Sequence, residues 1–143
     1  MSTRYGAVYG YGIPVDGLGD RIVLEKFRDF AIENGLWLDK YDEEIEESGF
    51  DSTIIVDCLQ FEYMSLEELF ASLDDSGFLD YDNGIENGGY LLYYPSYPWS
   101  TGRRAESREQ VDRAIINAIQ KITDLTEDEI ESKIGYISDA YYG

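Results

Sequence analysis

The chain has 143 residues, 43% hydrophobic and 15% aromatic, enough apolar material for one domain with its own core. Its 30 acids, 11 bases and complete lack of histidine give a formal net charge of −19. That charge argues against direct binding to a nucleic-acid backbone or an anionic membrane, and the missing histidine removes every Ser-His, Cys-His and His-metal arrangement.

Tyr5 to Ile13, rich in aromatic and β-branched residues with interleaved glycines, predicts a strand. The glycines of Tyr9-Gly10-Tyr11-Gly12 lack a following Gly-Lys-Ser/Thr, so they read as structural rather than as a phosphate loop. After a turn-rich loop, Asp20 is the expected N-cap of a first helix over 21–34, with Gly35 at its C′ position. The cluster Asp42-Glu43-Glu44-Ile45-Glu46-Glu47 reads as a short helix or a loop, and Ser52 to Tyr63 as a strand.

Ser65 and Glu68 match a capping box opening a short helix over 66–74. The turn signals of Asp80 to Gly89 predict a hairpin between 77–82 and 89–94, stopped by Pro95 and Pro98. Asp80-Tyr81-Asp82-Asn83-Gly84 fails the spacing of a calcium loop, because glycine falls at position 5 and leucine at position 12. Ser107 with Gln110 opens a helix over 108–122, and Thr126 with Glu129 opens another through about Ile134. Tyr136 to Gly143 reads as a tail of uncertain order. The expected fold is a single α+β domain over 1–143: a small, mostly antiparallel sheet packed by two longer helices and one or two short ones.

No window of 18 apolar residues suggests a transmembrane helix, and Met1 to Gly10 lacks the apolar run of a secretory signal. The single cysteine, Cys58, lies in an apolar run and reads as a buried, inert thiol. A reduced, cytoplasmic protein is expected.

The net charge is unevenly placed. Residues 1–41 carry −1 and residues 103–143 carry −3, whereas Tyr41 to Gly102 hold 15 acids and no base. General acidity would colour all segments alike. Tyr90, Tyr93, Tyr94, Tyr97 and Trp99 fall within ten residues at the end of this acidic segment, where aromatics serve either a core or an interface. The basic patch Arg103-Arg104, with Arg108 and Arg113, is too small to imply nucleic-acid binding and reads as balancing nearby acids. The expected partner-binding residues are Asp42, Glu43, Glu44, Glu46, Glu47, Glu67, Glu68, Asp74, Asp75, Asp80, Asp82, Tyr93, Tyr94, Tyr97 and Trp99.

A short single-domain chain with a base-free acidic segment resembles, in type, the small phage-encoded inhibitors that mimic nucleic acid, the anti-restriction and anti-CRISPR proteins. The resemblance is physical and rests on no shared motif. It implies a non-enzymatic inhibitor, without cofactor or metal, that occupies a basic nucleic-acid-binding site on a partner protein of nuclease or CRISPR-effector type. Duplex DNA carries about one charge per 1.7 Å of axis, which a carboxylate surface can approach. Two readings stand beside it. One is a small-ligand or protein-binding adaptor whose groove is lined by the Tyr90–Tyr94 and Tyr5–Tyr11 strands. The other is a carboxylate metal enzyme, for which Asp57 and Glu62 are the best single candidates.

Overall fold

The structure is a computed structural model that describes residues 5–60, 64–83, 89–93 and 104–142, with 5–9 and 138–142 described through their backbone. The strand expected at the N-terminus forms as β1, Tyr5–Pro14. Gly12 lets β3 (Tyr90–Tyr93) lie close against it: a Cβ at Gly12 would collide with the Leu91 carbonyl. The expected hairpin pairs β2 (Asp80–Asp82) antiparallel to β3, with Tyr81 opposite Leu91.

A fourth strand, β4 (Gly135–Tyr142), replaces the tail of uncertain order and pairs antiparallel to β1 from Tyr5↔Tyr142 to Gly12↔Gly135. The sheet order is β2-β3-β1-β4, antiparallel throughout. This agrees with the α+β class expected from the sequence.

Six α-helices accompany the sheet among the described residues. The first begins later than expected. Gly19–Arg21 is a single 3-10 turn, and Ile22 and Val23 are extended, with the Val23 N–H donating to the Ile122 carbonyl at 2.8 Å. This tie to the end of a distant helix delays α1 to Leu24–Glu33 and removes Asp20 from the capping position. Gly35 takes a positive φ of 70° and closes α1 as expected, with the Leu36 N–H returning to the Ala31 carbonyl. The acid cluster is helical, α2 spanning Asp39–Ser48.

Ser52–Gln60 is a helix, α3, and not a strand. Its buried residues are Ile54, Ile55, Cys58 and Leu59, an i, i+1, i+4, i+5 pattern that fits one helical face and cannot fit a period of two. Asp51 accepts the Thr53 N–H at 2.9 Å and satisfies a first-turn donor. Helical periodicity and the cap thus override the β-branched composition.

The remaining helices are α4 (Leu66–Ser72), α5 (Arg108–Gln120) and α6 (Glu127–Glu131), capped by Ser65, Ser107 and Thr126 as their sequences predicted. Helix α4 packs on β2 and β3, and α5 on β1, α4 and α6. Phe27, Leu69, Phe70, Leu91, Ile115, Ile119 and Ile130 are fully buried in one continuous core. No helix among the described residues is long and apolar enough to cross a membrane.

Candidate functional site: an acidic helix and a tyrosine–arginine patch

Tyr41 and Ile45 set the orientation of α2. They lie one turn apart and turn the same face inward, Tyr41 to 2% exposure. At 100° per residue, Glu43, Glu46 and Glu47 then point away from the core, with Asp42 and Glu44 on the two flanks. All five acids are exposed.

Asp42 is tied down. Its carboxylate accepts from Arg28 Nε at 3.1 Å and from Trp37 Nε1 at 3.2 Å, and the Arg28 hydrogen bond holds its pKa below the usual carboxylate range. Arg28 also stacks over Trp37, which meets Tyr41 edge-on. Glu43, Glu44, Glu46 and Glu47 have no hydrogen bond or ion pair among the described residues. Gly49, at a φ of 81°, ends the helix.

The other expected acids sit elsewhere, and most of them have structural work. At the start of α4, Glu68 accepts the Tyr81 hydroxyl at 2.8 Å, while the Glu67 side chain lies over Gly89, where a Cβ would strike it. Asp74 shapes the turn after α4, accepting from the Ser76 N–H and hydroxyl and from the Leu79 N–H at 2.8 Å. Asp75 pairs with Lys121 at 2.5 Å, and that lysine also donates to the Leu73 carbonyl at the end of α4. Asp80 accepts the Tyr81 N–H, and Asp82 lies beside it on β2.

No extensive packing joins α2 to α4 or β2. The expected acids therefore form two groups on separate elements, and among the described residues only the α2 group leaves several of these carboxylates without partners. Asp57 is an exposed residue of α3, 3.8 Å from Lys40, and Glu62 falls outside the described residues. No group of three or more acids or cysteines that could hold a metal ion occurs among the described residues.

Of the expected aromatic anchors, Tyr94, Tyr97 and Trp99 lie outside the described residues. Tyr93 is half-buried, and its hydroxyl accepts the Ala105 N–H at 3.0 Å. It lines a shallow pocket of about 260 Å³ with Tyr11, Arg108, Val111 and Tyr136. Tyr11 and Tyr93 come from the two strands named for a tyrosine-lined groove, and the structure adds Tyr136 and Arg108 to them. Tyr11 and Tyr136 meet edge-to-face at 5.2 Å, and the Arg108 guanidinium lies over both rings, 5.2 and 5.4 Å from their centres. Arg108 also donates to the Tyr136 hydroxyl at 2.8 Å.

Tyr11 donates to Asp112 at 2.5 Å; burial, aided by that carboxylate, pushes its pKa up to about 12. Only the β1–β4 register, which sets Tyr11 opposite Tyr136, brings these side chains together. The alternation of tyrosine and glycine in β1 was the one available signal.

A wider groove of about 770 Å³ runs between α1 and the turn after α4, with Phe30, Leu36, Met64 and Leu73 below and Asp29, Glu33, Lys26 and Lys121 at its rim. Both lysines are engaged, Lys26 by the carbonyls of Gln120 and Thr123 at the end of α5. Comparisons with protein-family models, with curated proteins and with solved structures find no match for this chain.

Proposed function

We propose that this chain is a non-enzymatic inhibitor that covers a basic nucleic-acid-binding site on a partner protein, presenting α2 in place of a phosphate backbone. The observation that carries the reading is the run of exposed carboxylates Glu43, Glu44, Glu46 and Glu47, which have no partner among the described residues. Asp39–Ser48 holds six acids and one lysine. At 1.5 Å of rise per residue the helix is about 15 Å long, so it carries roughly one net charge per 3 Å, close to the ~3.4 Å spacing of a single DNA strand. Packing of Tyr41 and Ile45 supplies the rigidity that a disordered acidic tail lacks. Preorganised charge binds without the cost of ordering the segment.

The test is competition in a gel shift, with a basic nuclease or CRISPR-effector partner held on labelled nucleic acid. Unlabelled protein is expected to release the nucleic acid, with an effect that weakens steeply as salt rises. The quadruple replacement of Glu43, Glu44, Glu46 and Glu47 by lysine is expected to abolish release while the circular dichroism spectrum is retained. Unchanged release by that variant would sink the idea.

One observation favours a second reading, an adaptor that grips a partner side chain. It is the pocket of Tyr11, Tyr93, Tyr136 and Arg108, whose volume of about 260 Å³ suits a single side chain better than a small-molecule cofactor. Loss of partner binding on Tyr93→Ala, with the lysine variant still active, would favour it.

A further inference from the structure

We infer that the outer edge of β4 is a self-association edge, where two copies of this chain pair β4 antiparallel to β4 about a twofold axis. The inference is independent of the inhibitor reading. It begins from the contrast between the two edges of the sheet. At one edge β2 is three residues long and carries Asp80 and Asp82, so brevity and charge protect it from adding another strand. At the other edge β4 runs for eight residues, with Asp139 its only charge and no proline or lysine.

In an antiparallel ladder alternate residues direct both main-chain groups to the same neighbour, so about half of β4 turns its N–H and C=O away from β1. Among the described residues no strand receives them.

A second observation lies on the same strand. Tyr136 is 77% exposed, yet its ring is held by Arg108 and Tyr11. An exposed aromatic that is already immobilised loses little freedom on contact, and tyrosine–arginine pairs are typical interface anchors.

Charge selects the occupant. A chain of net charge −19 repels its own copy everywhere except where its charge is low. The segment 103–143, which includes β4, Arg104 and Arg108, is such a place, with a net of −3. A strand paired antiparallel to itself is self-complementary, as a twofold interface requires. An axis through Ser138 sets each Asp139 position against Ile137 and Tyr136 against Ala140, so no like charges fall directly opposite. The product is one continuous sheet of eight strands, a common size.

The test is sedimentation equilibrium of the full chain, with amide hydrogen exchange at high and low protein concentration. A dimer mass at tens of micromolar is expected, with β4 amides protected on concentration while α5 amides stay unchanged. Tyr136→Asp, an exposed substitution, is expected to weaken the dimer at least tenfold while the monomer's circular dichroism is retained. A monomer at every concentration overturns the inference, as does a dimer whose β4 amides exchange alike when dilute and concentrated. Protection of β4 that arises only when a basic partner protein is added would assign the edge to that partner and also overturn it. The exchange measurement on the unsubstituted chain decides the matter even if the variant does not fold.

Discussion

Gly12, Tyr41 and Cys58 show how single residues are constrained. A Cβ on Gly12 would overlap the Leu91 carbonyl, a backbone atom that cannot swing aside. We expect Gly12→Ala to cost about 2–3 kcal/mol, as overpacking does, and to be visible as a lowered urea midpoint. Tyr41 and Tyr11 hold their protons to about pH 12, Tyr41 chiefly because it is buried, whereas each loses its proton near pH 10 when unfolded. Their contribution is complete below pH 10 and is lost as the pH rises from 10 to 12. A melting temperature followed across that window is expected to fall less steeply in Tyr41→Phe; an equal slope would contradict the assignment. Cys58 is fully buried, and burial raises its thiol pKa, so the folded chain is expected to resist a thiol reagent that reacts promptly once the chain is unfolded.

At the scale of elements, local chemistry sufficed wherever a cap and a period agreed. The boxes at Ser65, Ser107 and Thr126 open α4, α5 and α6 where they were expected. The Thr126 box is complete: its hydroxyl accepts the Glu129 N–H, and Glu129 accepts the Thr126 N–H at 2.8 Å. Arg21 then clamps Glu129 and Asp124, tying α6 to the 3-10 turn before α1. Thr126→Ala is expected to cost about 1 kcal/mol in chemical denaturation, and Thr126→Ser to restore most of it. Sequence reading failed where composition was weighed above period, as in α3, and where a distant strand intervened. Ile22 and Val23 resemble the opening of a helix until their pairing with the 122–123 segment is known. The candidate site divides along the same line. The exposed glutamates of α2 were legible because a single helix holds them, whereas the dispersal of Glu68, Asp74 and Asp75 into structural hydrogen bonds was not.

For the whole molecule, the dominant quantity is charge. Most ion pairs among the described residues are exposed and contribute little, so self-repulsion of the acids remains a net cost of folding. Salt shortens the reach of that repulsion to about 8–10 Å at ordinary ionic strength. Thermal melts are therefore expected to rise between low salt and half-molar sodium chloride. A midpoint that falls or stays level would show that the carboxylates are compensated in a way the ion pairs do not reveal. The sequence by itself determined the uneven charge, the capped helices and the α+β class, because these depend on neighbours within a turn or a hairpin. Only the tertiary structure decided that the C-terminal segment is a strand and that Tyr11, Tyr136 and Arg108 meet. Those outcomes depend on pairings across more than a hundred residues, whose free energy comes from a shared core and no local pattern.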